Sequence, residues 1–283
     1  MRIRREPAIQ IKTAAQLAAM AEAGQVVARA LSAAAAAVAP GVSTAELDAI
    51  AAGVIREAGA APSFLGYHGF PATICVCIND EIVHGIPRPG RRLRAGDVVS
   101  IDCGAIVSGW HADAALTVPV GTVTAEMGRL LATCELALWH GLAAARAGAQ
   151  LGDVSHAVER CARAGGRAGK YGIVEDYVGH GIGSEMHMDP PVPNLGRPGR
   201  GPVLEEGMAL AIEPLLVLGS PATRLLEDGW TVVTEDGSLA AHFEHTVAIT
   251  SGGPWVLTAT DGGREGFARL AQQPPRELAQ SHS

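Results

Sequence analysis

Lysine is nearly missing from this 283-residue chain: Lys12 and Lys170 are the only two, and arginine supplies the rest of its 22 basic residues. Against 29 acidic residues the net charge is -7, which argues against a protein held on nucleic acid by bulk electrostatics. Arginine in place of lysine, with abundant alanine, reflects a GC-rich genome more than a function. Paired cysteines are missing too. Cys75, Cys77, Cys103, Cys134 and Cys161 are odd in number and show no C-x-x-C spacing, which argues against a disulfide framework or a zinc knuckle and fits a reducing cytosol. No long apolar run is present. Met1-Arg2-Ile3-Arg4-Arg5 resembles a signal n-region, but charged and polar residues follow it, and the run Ala33–Ala37 is too short and too deep for a signal core or a membrane span. The expectation is a soluble cytoplasmic protein with no membrane contact.

Two common catalytic signatures are missing as well. His180 and His187 lie seven residues apart, which is not H-E-x-x-H spacing. Gly179-His180-Gly181-Ile182-Gly183 lacks the spacing and the following helix of a phosphate-binding loop.

What the chain does contain is one pattern written twice. The first copy has His84-Gly85-Ile86, then Leu93 to Asp102 ending in Ile101-Asp102, then His111-Ala112-Asp113. The second has His180-Gly181-Ile182, then Leu204 to Glu213 ending in Ile212-Glu213, then His242-Phe243-Glu244. A duplication folded on itself would bring four carboxylates together at the ends of matching apolar strands. Such a cluster calls for cations, and so for a two-metal enzyme.

Capping boxes at Thr13/Gln16 and Ser43/Glu46 open two helices, the first running to about Val38 and the second ending near Gly59. A related helical pattern recurs at Val154, Ala157, Val158 and Cys161 and ends at Gly165-Gly166. Strands are expected at Thr73–Ile78, Asp97–Cys103, His111–Val118, Ala209–Val217, Trp230–Thr234 and Ala241–Thr250. Helices followed by strands in each half indicate an α+β fold with antiparallel sheet. The division is a short N-terminal segment (1–12) and one domain (13–261) of two pseudo-symmetric halves, 13–122 and 123–261. A polar tail (262–283) with Pro274-Pro275 is expected to be disordered.

Asp102 and Asp113 fall on two strands joined through Val107-Ser108-Gly109, and a tight hairpin there would place them opposite each other on one face. Opposed like charges need neutralising, and a divalent cation does this with Asp oxygens as ligands. As a pair alone, they read equally well as solvent-facing carboxylates. Glu213 follows the apolar run Met208–Ile212, so its carboxylate must be paired, metal-bound or shifted in pKa. Strand alternation sets His242, Glu244 and Thr246 on one side. The glycines flanking His180 would let its imidazole approach a metal closely. His180, His187 and His84 all read as loop residues, where functional groups concentrate. His68, His111, His242 and His245 read as supporting or structural. Tyr67, Phe70, Cys75, Met186 and Trp230 read equally as core or as pocket wall.

With these strings in view the chain resembles type I methionine aminopeptidases of the pita-bread fold over residues 12–260. The matching strings include Asn79–Pro87, Ser100-Ile101-Asp102, Gly179–Gly183, Ile212-Glu213-Pro214, Asp228–Val232 and Phe243-Glu244-His245-Thr246. The resemblance implies pseudo-two-fold halves around a central antiparallel sheet flanked by helices. It implies two divalent metal ions (Co, Mn, Fe, Zn or Ni) held by Asp102, by Asp113 and Glu244 as bridges, and by His180 and Glu213. A bridging hydroxide would attack the scissile carbonyl, with Glu213 as acid–base, His187 donating to the developing oxyanion and His84 contacting the substrate backbone. Tyr67, Phe70, Cys75, Met186 and Trp230 would wall the methionine pocket, with a small residue preferred after the methionine.

The implied partner is the N-terminal Met of nascent chains at the ribosome, and a monomer is expected. Phe64 stands where bacterial members often have cysteine, and Phe70 and Met186 differ from the aromatics common at their positions. No zinc-finger extension, proline-rich arm or type II helical insertion is seen. The alternatives are an Xaa-Pro aminopeptidase or dipeptidase of the same fold, and a non-catalytic module that has lost its ligands, although no ligand position is lost here.

Overall fold

The structure, a computed structural model, describes residues 9–165 and 171–272. The start of the chain, Gly166 of the expected helix stop and residues 273–283 lie outside the described residues. Both capping boxes form. Thr13 Oγ1 accepts the Gln16 N–H at the start of helix α1 (Ala14–Ala36), and Ser43 does the same for Glu46 at α2 (Thr44–Glu57). Each such cap contributes about 1 kcal/mol to its helix. The second half repeats the pair as α3 (Ala125–Ala144) and α4 (Leu151–Gly165).

In the first half the strands are β1 (Ala61–Pro62), β2 (Ile74–Ile78), β3 (Glu81–Val83), β4 (Val98–Val107) and β5 (Trp110–Pro119). The second half has β6 (Gly172–Ile173), β7 (Gly179–Gly181), β8 (Met188–Val192), β9 (Ala209–Ile212) and β10 (Leu215–Val217). It continues with β11 (Thr223–Leu225), β12 (Val232–Thr234), β13 (Ala240–His242), β14 (Glu244–Thr250) and β15 (Gly253–Val256). One nine-stranded antiparallel sheet runs β1-β4-β5-β14-β9-β7-β8, with β2 on β4 and β15 on β14, so the halves join where β5 meets β14. Two three-stranded sheets, β13-β10-β6 and β11-β12-β3, adjoin it.

Strand periodicity decides which face is covered. Ile74, Val76 and Ile78 of β2, Val99, Ile101 and Cys103 of β4, and Ala112 and Ala114 of β5 pack with α1 and α2 in one core. Leu210 and Ile212 of β9 and Val247 and Ile249 of β14 pack with α3 and α4 in the other. The intervening residues, Cys75, Asp102, Asp113 and Glu244 among them, therefore share the face away from the helix pairs.

Four expectations are corrected. The β4–β5 hairpin turns on Ser108-Gly109, both at positive φ, and its register sets Asp102 against Ala115 and Asp113 against Gly104. The two aspartates are thus diagonal on one face, an offset of two residues that keeps the face and changes the partner. The strands expected over 209–217 and 241–250 are each interrupted, at Glu213-Pro214 and at Phe243, because proline has no N–H for the ladder. His180, read as a loop residue, lies on β7 between β8 and β9. The tail is ordered through α5 (Arg264–Gln272), where Phe267 meets the Trp139 ring edge-on with centroids 5.4 Å apart.

Candidate active site and metal centre

The sheet register writes the site as two adjacent rows of cross-strand neighbours. In the first, Cys75 faces Asp102, Asp102 faces Ala115, and Ala115 faces Glu244. The β9–β14 and β10–β13 pairings share one register across the break, and in that register Glu244 stands opposite Glu213. In the second row Asp113 faces Gly104 on one side and is tied to Thr246 on the other, and Thr246 faces Ala211, which faces His180. Small residues at 104, 115 and 211 leave the space between the acidic side chains open.

Asp113, His180 and Glu244 offer one ligand atom each within 4.8 Å of one another, and all three are buried. Glu213 Oε1 lies 3.8 Å from His180 Nε2. Among the described residues, Asp102 Oδ1, Asp113 Oδ1 and Glu244 Oε1 are buried with no hydrogen-bond partner. Buried oxygens do not stay orphaned without a reason, and hard cations are the kind of partner that such oxygens take.

The protonation states follow from the same burial. Burial pushes Glu213 up to about 8, with the charge of Asp113 adding to the rise. Burial raises Asp113 to about 7, against the opposing effect of hydrogen bonds from Asp102 and the Ala114 backbone. Asp102 and Glu244 are driven well above the carboxylate range by burial first and by their acidic neighbours second. Metal-free, the cluster holds protons where a metallated one would hold cations. Burial lowers His180 to about 3, leaving a neutral imidazole, the form that binds metal. His180 Nδ1 lies 2.9 Å from the Gly181 carbonyl, which fixes that nitrogen as the N–H and turns the Nε2 lone pair toward the carboxylates.

The flanking glycines act otherwise than expected. A Cβ on Gly179 would strike the Ala211 carbonyl, and one on Gly181 the Asp189 carbonyl. They let β7 lie close against its neighbours' backbones and so bring His180 into its row, rather than clearing a path for the imidazole.

Over these rows opens a cavity of about 280 Å³. Every residue given a ligand, catalytic or pocket role by the resemblance reaches it: the four carboxylates, His84, His180, His187, and the wall Tyr67, Phe70, Cys75, Met186 and Trp230. Phe64 and Val83 join the wall, and His68, read as supporting, lies on it directly. Phe64, Phe70, Cys75 and Met186 form one apolar cluster with Tyr67 and Trp230 packed against it. His84 sits just after β3 at φ +60°, a conformation His adopts more readily than most residues, with its ring edge-on to Tyr177 and Trp230.

Two other histidines are held by hydroxyl partners. His245 Nδ1 pairs with Thr258 Oγ1 beneath the sheet, and His111 Nδ1 with Ser63 Oγ. His242, also read as supporting or structural, does approach the acids. Its Nε2 is 3.8 Å from Glu213 Oε2 and from Glu244 Oε2.

Residues 18–251 match the model of metallopeptidase family M24. Methionine aminopeptidase 1 of Mycobacterium tuberculosis is 54% identical over 261 residues, 91% of this chain and 97% of that protein. The chain belongs to the methionine aminopeptidases of metallopeptidase family M24. The crystal structure of the Thermotoga maritima methionine aminopeptidase overlays with a TM-score of 0.86 at 39% identity, covering 89% of this chain and 99% of that one. A prolidase from Pyrococcus furiosus also overlays, at a TM-score of 0.71, but at 24% identity with 65% of its chain covered it shares the fold alone. The pita-bread architecture is therefore common to both branches, and the sequence similarity favours the methionine aminopeptidases. As a member of a metallopeptidase family the chain uses divalent metal, and Asp113, His180 and Glu244 form the tight group able to hold it. Among the described residues no helix is long and apolar enough to cross a membrane.

Proposed function

We propose that this methionine aminopeptidase removes the initiator methionine from chains whose second residue is small, using two divalent ions. In this reading Asp102 would help hold one ion and His180 and Glu213 the other, with Asp113 and Glu244 as further ligands. The observation that carries it is the run of buried, partnerless carboxylate oxygens along one sheet face, at the floor of a cavity with a soft apolar wall. Four ionised carboxylates match the charge of two divalent ions. Oxygen and imidazole donors suit Mn, Fe, Co, Ni and Zn alike, so availability selects among them.

Bound there, divalent cations would supply Lewis acidity, lowering the pKa of water to about 7 and polarising a carbonyl. The chain's own residues do the rest. Glu213 takes a proton on the water side and returns it to the leaving amine. His187 faces the cavity with Nδ1 2.9 Å from Tyr67 Oη. With the Tyr67 hydroxyl donating to Nδ1, the N–H of His187 is at Nε2, where it can donate to the carbonyl oxygen as charge develops. His84 contacts the substrate backbone beside the scissile bond. Phe64, Phe70, Cys75, Met186 and Trp230 seat the methionine thioether against polarizable and aromatic groups.

The buried thiols of Cys75, Cys77, Cys103 and Cys134 support a reducing compartment, and we assign the enzyme to the cytoplasm, acting where nascent N-termini leave the ribosome. One chain carries a complete set of site residues, so a monomer suffices. The test is release of Met from Met-Ala-Ser with Mn²⁺, Co²⁺ or Fe²⁺. Equal release of Xaa from Xaa-Pro peptides, or no Met release with any of these ions, sinks the reading.

A further inference from the structure

Two threonines make the same bridge on either side of Glu244. Thr246 Oγ1 accepts the Asp113 N–H at 2.9 Å and donates to the Asp113 carbonyl at 2.8 Å. Thr117 Oγ1 accepts the His242 N–H at 2.9 Å and donates to the His242 carbonyl at 2.7 Å. Its one proton is then used, so the contact with Ser100 Oγ at 2.7 Å has Ser100 as donor, and the hydroxyl is fully satisfied. The backbone of His242 is thus fixed by the same device that fixes Asp113, one step along the sheet on the other side of Glu244.

The side chain held there is 2% exposed, and its Nε2 has no hydrogen-bond partner among the described residues. That nitrogen points between Glu213 and Glu244, 3.8 Å from the Oε2 of each. Facing two carboxylates ionised as in a metal-loaded site, an unprotonated Nε2 would set lone pair against lone pair. A protonated one is a donor that a small movement of either carboxylate completes.

We propose that His242 is a positioning residue of the site: its Nε2–H donates to the outer oxygen of Glu213 or Glu244, so that the glutamate it holds turns its other oxygen inward. This rests on the reading of Glu213 and Glu244 as ligands. The same contact would hold Glu213 still while it carries a proton, and His242 itself touches neither substrate nor water.

The experiment compares wild type, His242→Gln and His242→Leu, each prepared metal-free. Mn²⁺ affinity is measured by calorimetry, kcat and KM on Met-Ala-Ser, and unfolding of the metal-free forms by thermal melts. Removal of such an outer partner costs about 10- to 100-fold in metal affinity or activity. The Leu variant is expected to show that loss in Mn²⁺ affinity and kcat, with KM within about twofold and the metal-free melt unchanged. Gln keeps an N–H donor and is expected to stay within about fivefold of wild type. Proton–nitrogen correlation spectra of ¹⁵N-histidine-labelled wild type are expected to show His242 protonated at Nε2, a readout independent of whether the Leu variant folds. Wild-type behaviour of His242→Leu, equal loss in Gln and Leu, or an unprotonated Nε2 overturns the proposal while leaving the metal site standing. Wild type that fails to bind Mn²⁺ overturns both.

Discussion

Tyr67 and His187 are joined by their polar ends, Oη to Nδ1, at 2.9 Å. The ring of His187 also lies edge-on against His180, centroids 4.3 Å apart. With its hydroxyl donating, a residue read as pocket wall would also select the tautomer of the histidine proposed to stabilise the oxyanion. Tyr67→Phe keeps the wall and removes the hydroxyl. One hydrogen bond of about 1 kcal/mol corresponds to roughly a fivefold fall in kcat on Met-Ala-Ser, with KM little changed. A rise in KM at constant kcat would show that the hydroxyl matters only for binding.

Glu213→Gln preserves shape and one oxygen but can no longer carry the proton. Loss of general acid–base catalysis costs about 10²- to 10⁴-fold, and kcat is expected to fall within that range. A variant that retains more than a tenth of wild-type kcat at saturating Mn²⁺ would remove Glu213 from that role.

Metal-free and metal-loaded protein should respond to pH in opposite ways. Glu213 is raised to about 8 and Asp113 to about 7 in the folded protein, in both cases chiefly by burial, whereas an unfolded carboxyl titrates near 4. A raised folded pKa favours the folded state when the group is protonated. That stability is complete below about pH 4 and is lost as pH climbs through 7 and 8. The melting temperature of chelator-treated protein should therefore fall from pH 5 to pH 9. Excess Mn²⁺ should abolish the fall, with metal affinity rising over the same window as protons leave the ligands. A metal-free melting temperature that rises across that range contradicts the burial of the cluster.

Phe267 of α5 closes over Trp139, which is 8% exposed and also meets His245. Phe267→Ala is expected to cost about 1–3 kcal/mol in urea unfolding, the range for lost apolar burial and an edge-on aromatic pair. Activity on Met-Ala-Ser should be unchanged, since the contact lies on the helix side of the sheet. An unaltered midpoint would mean that α5 adds nothing to stability.

Much of this site was legible because carboxylates at the ends of apolar strands are costly without a purpose. Asp102, Asp113, Glu213 and Glu244 each follow or flank buried runs, and period-two alternation put them on faces that the structure keeps. Glu213 and Glu244 even fall opposite each other in register, the arrangement expected instead of Asp102 and Asp113. Register itself was not legible. Whether Asp102 meets Asp113 or Ala115 depends on whether the two-residue turn falls at 107–108 or at 108–109, and a shift of two leaves every face unchanged. The break at Pro214 was visible as a proline, but its partner break at Phe243 exists only because Phe243 lies across from it.

The glycines around His180 show the same limit. Their need for absence of bulk was readable, yet the atoms that would collide, on Ala211 and Asp189, belong to strands distant in the chain. His242 carried a usable signal, since alternation sets it on the side of Glu244. Nothing local showed that its Nε2 would be left without a partner. The polar composition of the tail hides Gly266 and Phe267, which a distant Trp139 makes worth ordering in α5.

The amino-acid sequence by itself determined the helix starts, the strand faces, the family and the chemical types gathered at the site, because caps, alternation and buried charge are local or compositional constraints. Only the tertiary structure decided who faces whom: the offset hairpin, the second row through His180, the Tyr67–His187 contact and the placing of His242. Those are set by pairings between segments far apart in the chain, where the free energy of register and packing has no local signature.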